Sequence, residues 1–413
     1  VASARLEIES IAAGGDGVAR SDGLVVFVPR TAPGDIADVE WTAKKGSRFA
    51  RGRALAFDVE SPARVDPPCE HYVRDRCGGC QLQHIRYQSQ LAAKSVIVRD
   101  AIERIGKREI GLPSVHASAR EWRYRRKLTM TMRRSSGRWI AGLHAYDSPD
   151  TVFDLRECPI TEDAVLATWR EIMNASDELP RAAELRGAVS TGDAGAAFLL
   201  EGGTRWPRAR NLLERVPALA AVWWLAEGKD EAELVANAGD TAGALGASFQ
   251  QINATVAREL ASYVRGRVAA HEPRSVVDAY SGTGDLAVEL ARDGIRVTAI
   301  ELDRAAAARC GELLPDSSRS ITGRVEEELP SVLPADVVVL NPPRKGVDER
   351  VTSELEERAA EVRAIVYVSC NPATLARDLS RLPRWRIASL QAFDMFPQTA
   401  HVETVCELIP EAT

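Results

Sequence analysis

From Ser275 onward the chain alternates between short apolar runs and amphipathic stretches, and no other feature constrains its fold as much. Strands are predicted at Ser275–Tyr280, Arg296–Glu301, Ser318–Thr322, Asp336–Leu340 and Arg363–Ser369. Helical patterns fall between them at Leu286–Arg292, Arg304–Leu314, Val347–Ala360 and Ala373–Leu382, and two further strands, Ile387–Phe393 and Val402–Leu408, close the series. Strand–helix alternation of this kind specifies an α/β, doubly wound parallel sheet. Such sheets bind ligands beyond the carboxyl ends of their strands, so those ends are where chemistry is sought.

Four strand ends converge on one edge. The first ends in Asp278-Ala279-Tyr280-Ser281-Gly282-Thr283-Gly284-Asp285 and the second in Glu301-Leu302-Asp303; later ones end in Asn341-Pro342-Pro343-Arg344 and Ser369-Cys370-Asn371-Pro372. The turn through Gly282 and Gly284 lacks the third glycine of a dinucleotide fingerprint, and Asp285 would repel a pyrophosphate at the helix start. It suits a cationic ligand. With Glu301 placed to accept hydrogen bonds from ribose hydroxyls, the set favours S-adenosylmethionine over a dinucleotide. A strand-end cysteine is ordinarily a small packing residue. Cys370 differs in opening a helix, where a thiol is expected to be acidified, and in facing the return of His401 and Glu403 to the same edge. A thiolate, a carboxylate and a methyl donor suit methylation at carbon 5 of uracil: Cys370 adds to carbon 6, and Glu403 removes the carbon-5 proton.

The first sixty residues read as a small β-barrel, with runs at Arg5–Ile8, Leu24–Val28 and Asp38–Trp41 broken by glycine and proline turns and basic residues at its end. Three domains follow: 1–60, a barrel; 61–240, a central α+β domain with a helix at Tyr87–Ile105; and 241–413, the sheet. Seven cysteines, an odd number, in a chain of 413 residues without an apolar run long enough for a membrane point to metal or catalytic thiols in a reducing, cytoplasmic setting. Cys69, Cys77, Cys80 and Cys158 form one candidate metal set, for which spacing alone leans to zinc but admits iron–sulfur. Cys310 and Cys406 read as packing residues. The formal charge of −6 argues against nucleic acid, yet residues 120–138 carry +7, leaving −13 for the rest. Alternation over Lys127–Arg133 predicts a half-buried strand with its basic residues on an exposed face. Arg123, Arg125, Arg126, Lys127 and Arg133, with Arg344 at the sheet edge, are the candidate RNA contacts, and Trp122 and Tyr124 are available for stacking.

Together these motifs resemble the RNA uracil-5 methyltransferases, in the ribosomal-RNA-type branch with a TRAM barrel and a [4Fe–4S] cluster. The resemblance spans nearly the whole chain, including Phe249-x-Gln251-x-Asn253 and Thr399–Glu403. It implies a Rossmann-like class I methyltransferase domain, S-adenosylmethionine contacts from Gln251, Tyr280, Asp285, Glu301 and Asn341, Cys370 as nucleophile and Glu403 as base. It also implies an iron–sulfur cluster on the four cysteines and a monomer acting on ribosomal RNA, with transfer RNA as competitor. Asn341 departs from the aspartate usual in the family, and seven residues separate Cys69 from Cys77 where about five are usual. Asn-Pro-Pro also suits an amino-methyltransferase, which needs no cysteine, and Asn341 leaves open an RNA-binding protein with an impaired site.

Overall fold

The computed structural model describes residues 1–135, 137–192, 195–239 and 252–411. Its largest sheet has eight strands in the order Arg319–Thr322, Arg296–Glu301, Ser275–Ala279, Val337–Leu340, Ala364–Ser369, Glu403–Pro410, Trp385–Phe393 and Val115–His116. The first five run parallel; Glu403–Pro410 is antiparallel to both of its neighbours. Val337–Leu340 and Ala364–Ser369 are buried at every residue. That is why they read as continuous apolar runs: helices cover both faces. One face packs Ala254–Ala269, Asp285–Arg292 and Arg304–Leu313; the other packs Val325–Val332, Glu349–Glu357 and Pro372–Leu379. Cys310 and Cys406 are fully buried in these two opposite layers, as packing residues.

Local chemistry explains where the helices differ from expectation. The stretch predicted from Val347 becomes helical only at Glu349, because Gly346 sits at φ +77° and Asp348 caps the helix by accepting from Arg350 N. Asn371 caps Pro372–Leu379 through Ala373 N, so this helix starts one residue after Cys370 and Asn371. The helices at Ala254–Ala269 and Val325–Val332 were not foreseen, the first because its apolar stripe is thin and the second because Pro330 lies inside it.

The predicted helix at Tyr87–Ile105 runs Tyr87–Arg104, and its Val98 and Ile102 are buried in the core of the large sheet. Val115–His116 then joins that sheet's edge. The residues between the cysteines and the basic segment thus pack on the C-terminal layer. The central region has a second six-stranded sheet, in the order Glu233–Asn237, Leu219–Leu225, Gly195–Glu201, Glu184–Gly192, Lys127–Ser135 and Arg138–Gly142. Leu128, Met130 and Met132 point into its core, matching the predicted alternation. At the N-terminus six strands curl around Leu6, Ile8, Val26, Val28, Val39 and Trp41; one of them, Phe49–Val59, was hidden in sequence by its basic outer face.

Candidate active site and cysteine centre

The glycine turn is built for close approach. Tyr280, Gly282 and Gly284 adopt φ of +63°, +56° and +84°. A Cβ on Gly284 would lie 2.2 Å from Cys310 Sγ, so the buried thiol of Cys310 occupies the space that a side chain at 284 would need. Glu301 holds the turn from the next strand: one oxygen accepts from Gly282 N at 2.8 Å and the other from Asp303 N at 2.8 Å. Each carboxylate oxygen keeps a further lone pair for a ligand hydroxyl. Asp285 is exposed at the helix start, and Asn341 is exposed at the end of its strand, tied by its backbone N–H to Ala279 O. Tyr280, Gly282, Gly284, Asp285, Glu301 and Asn341 thus share one edge. Gln251 lies outside the described residues.

Asp278, which opens the strand-end motif and has no role of its own in the sequence reading, lies beneath this turn. Its carboxyl is fully buried, Oδ2 has no partner among the described residues, and burial pushes its pKa up to about 7, with Glu301 and Asp285 adding repulsion. Any negative charge on Asp278 is felt directly under this edge.

Cys370 and Glu403 meet across two strands. Ser369 pairs with Thr404 in the antiparallel ladder, so Cys370 and Glu403 stand opposite each other one step beyond. Burial raises the pKa of Glu403 to about 7, against a lowering pull from Arg344. The Cys370 thiol is also raised, first by burial and then by the Glu403 charge, while Arg344 opposes both through its charge and a hydrogen bond. The expected acidification by the helix start is therefore outweighed. In the free protein the thiol is held as the neutral form, and Arg344 is the group that favours thiolate. His401 is lowered by burial and by Arg344, Lys94 and Arg125. Asp378, also unforeseen, organises the loop that presents Arg344: Oδ2 accepts from Val347 N at 3.1 Å and Tyr367 OH at 2.8 Å, and Oδ1 accepts from Arg377.

The four cysteines Cys69, Cys77, Cys80 and Cys158 are all buried free thiols. Burial, followed by mutual repulsion in which Cys158 acts on each of the other three, raises Cys69 to about 11, Cys77 to about 12 and Cys80 higher still. Thiols so placed gain their anionic form only with a cation or metal beside them. Arg30 of the barrel reaches the same spot. Its guanidinium stacks 3.2 Å over Tyr72 and donates to Cys77 O at 2.7 Å, while its buried Nη1 has no partner among the described residues. An unpaired cationic donor facing three thiols fits an anionic thiolate–metal assembly. Among the described residues, no three His, Cys, Asp or Glu side chains approach closely enough to share a single ion.

Comparison with known proteins decides the family. The model of the tRNA (uracil-5-)-methyltransferase family matches residues 327–409, and that of the TRAM domain matches residues 4–55. An uncharacterised RNA methyltransferase of Thermosynechococcus vestitus is 32% identical over 98% of this chain and 98% of its own; another, of Gloeobacter violaceus, is 35% identical over 97% and 95%. The chain belongs to the RNA uracil-5 methyltransferase family. The fold is shared with the tRNA (uracil-54, C5)-methyltransferase of Pyrococcus abyssi, solved with S-adenosyl-L-homocysteine: TM-score 0.73, 24% identity, covering 98% of this chain and 100% of that one. It is an S-adenosylmethionine-dependent enzyme acting on RNA.

In this methyltransferase the basic segment differs from the exposed face expected of it. Arg123 donates to the carbonyls of Cys158 and Thr161 at 3.1 Å and faces Glu157 and Asp163. Arg126 lies 3.8 Å from Glu162, and Arg133 pairs with Glu184. Arg125 donates to Lys127 O at 2.7 Å, and Lys127 is half-buried with its pKa lowered by burial. Much of the local +7 is thus neutralised by acidic residues from elsewhere. Arg125 and Arg344 both act on His401 beside Cys370 and Glu403, whereas Arg123, Arg126 and Arg133 form ion pairs and stay partly exposed. No helix among the described residues is long and apolar enough to cross a membrane.

Proposed function

We propose that this enzyme methylates carbon 5 of a specific uridine in ribosomal RNA through a covalent adduct with Cys370. The observation that carries the reading is the pairing of Cys370 with Glu403 on adjacent strand ends beside the cofactor edge. Arg344 favours the thiolate as Cys370 adds to carbon 6 of uracil. The electron pair displaced to carbon 5 takes the methyl group from the sulfonium of S-adenosylmethionine. Glu403, poised near neutrality, then removes the proton from carbon 5, and the bond between Cys370 and carbon 6 breaks as the ring double bond re-forms. Glu301 would accept from the ribose hydroxyls of the donor, with Tyr280, Gly282, Gly284, Asp285, Asn341 and Gln251 completing its site. An amino-methyltransferase has no use for the thiol–carboxylate pair.

A uridine in folded RNA must leave its stack to reach Cys370, at a cost of a few kcal/mol. Contacts from the barrel and from Arg125, Lys127 and Arg344 would offset that, with Arg123, Arg126 and Arg133 shaping the surface behind them. Ribosomal RNA is favoured because the barrel and the cysteine centre occur together; transfer RNA is the alternative. Nucleoside mass spectrometry of both RNAs from cells lacking the gene tests the choice: 5-methyluridine should vanish from one site in ribosomal RNA, and loss from transfer RNA alone would reassign the substrate.

Cys69, Cys77, Cys80 and Cys158 would hold a [4Fe–4S] cluster. Four thiolates suit a tetrahedral zinc as well as a cluster, and the family resemblance is what favours iron–sulfur here. When bound, the cluster would supply a fixed, buried anchor joining barrel, central sheet and base loop. Anaerobically purified protein should be brown, with iron and labile sulfide; colourless protein with one zinc per chain would replace the cluster by zinc.

A further inference from the structure

Residues 394–402 carry the chain from Trp385–Phe393 to Glu403, and the fixings of this loop come from a distant part of the chain. Lys94, fully buried, pairs with Asp394 and donates to Phe396 O at 3.0 Å. Tyr124 OH donates to Pro397 O at 2.9 Å. Gln90 and Gln398 exchange two hydrogen bonds: Gln90 Nε2 donates to Gln398 Oε1 at 2.9 Å, and Gln398 N donates to Gln90 Oε1 at 3.0 Å. Gln398 O accepts in turn from Gln81 N at 3.1 Å and Leu82 N at 3.0 Å, the two residues that follow Cys80. Every one of these partners lies between residues 81 and 124. Gln398 is held at φ +69°, a conformation that costs a non-glycine residue about 1 kcal/mol and persists because the surroundings over-determine it.

A buried glutamine ordinarily does no more than satisfy a turn. Here both ends of the Gln90 amide are used, Nε2 also reaches Leu82 O and Ile85 O, and the far side of the junction is the turn leaving Cys80. Beyond it the loop stays taut. Thr399 Oγ1 donates to Phe396 O and accepts from His401 N, and Ala400 is buried against Leu82 and Ile85.

We infer that Gln90 is a positioning residue: with Gln398 it clamps the loop bearing Glu403 to the turn after Cys80, and so sets where the base stands relative to Cys370. The inference rests on the reading of Glu403 as the base. Addition of Cys370 and methyl transfer precede the step that needs Glu403, so a loosened clamp should slow only proton removal and release of the thiol.

Gln90→Leu keeps the bulk and removes every side-chain hydrogen bond. First-turnover methyl transfer to uridine-containing RNA should persist, while kcat falls by about 10- to 100-fold, the cost of a small misplacement. A denaturant-resistant protein–RNA adduct should accumulate. A kcat within about twofold of wild type, or equal losses in first-turnover transfer and kcat, overturns the clamp. Should Gln90→Leu fail to fold, Gln398→Gly carries the test: it keeps the backbone bonds and the positive φ, loses the buried side chain with its bond from Gln90 Nε2, and should show the same split at about three- to tenfold. Wild-type protein with 5-fluorouridine RNA serves as the separate check, because absence of an adduct there overturns the covalent reading itself.

Discussion

Cys370 and Glu403 stand opposite each other but are held by different means. Cys370 is placed locally: a fully buried strand delivers it to the sheet edge, and Asn371 starts a helix directly behind it. Glu403 also heads a strand of the same sheet, yet the loop before it is tied down by Gln90, Lys94, Tyr124 and the turn after Cys80. The proposed nucleophile is thus a product of the sheet alone. The placing of the proposed base depends on how the cysteine-bearing region docks on the sheet. A centre far from the chemistry can therefore matter to one half of the reaction and not the other.

The largest effect should come from the locally built half. Cys370→Ala should abolish 5-methyluridine formation while RNA binding, measured by filter retention or fluorescence anisotropy, is unchanged within about twofold. Any substantial residual methylation would remove the covalent step and with it the contrast between nucleophile and base. Glu403→Gln should follow, with turnover reduced by about 10²- to 10⁴-fold, the range for loss of a positioned acid–base group. It should trap the methylated adduct on ordinary uridine RNA, visible as a gel shift that survives denaturation. For wild type, the same geometry gives kcat a rising limb with an apparent pKa of about 7, because only the ionised carboxylate accepts the proton. A flat profile between pH 6 and 8 would place proton removal outside the slow step.

Asp378 tests the nucleophile half from behind. It ties Val347, Tyr367 and Arg377 to the loop that carries Arg344, and a Cβ on Gly346 would come within 2.5 Å of it. Asp378→Asn leaves the bulk but weakens the charge-assisted bonds to Arg377. An expected loss of about tenfold in kcat/KM, with a shift of the Cys370 alkylation profile toward higher pH, would follow from a displaced Arg344. Unchanged thiol reactivity would show that Arg344 keeps its place without this support.

The same division governs what could be read from sequence. The sheet, its strand ends, the glycine turn and the thiol were legible because strand–helix alternation determines where carboxyl ends lie, and short motifs mark those ends. Even there, the pKa of Cys370 ran opposite to expectation, since a helix start is visible in sequence but burial beside Glu403 is not. The clamp was not legible. Gln90 and Gln398 are separated by 308 positions, and neither belongs to a pattern. The ion pairs of the basic segment were not legible for a related reason. Summing charge over residues 120–138 counts the arginines, but their partners Glu157, Glu162, Asp163 and Glu184 lie beyond it and appear only once the chain is folded.

The smallest expected effect is on stability, and its sign separates a base from a structural carboxylate. Folding raises the pKa of Glu403 from an ordinary 4.5 to about 7. The protonated form is thus the one the fold prefers. Stability from this group is full below about pH 4.5 and is lost as pH rises through about 7, where the folded protein must carry a charge that burial opposes. Glu403→Gln removes that charge and keeps the shape. At pH 8 the variant should therefore be more stable than wild type by about 1–3 kcal/mol in denaturant unfolding, with the difference shrinking towards pH 5. A carboxylate kept for its ion pair would behave in the opposite way, and its loss would destabilise the fold most at high pH. A gain in stability together with a loss of turnover would mark Glu403 as a charge that the fold tolerates for the reaction's sake.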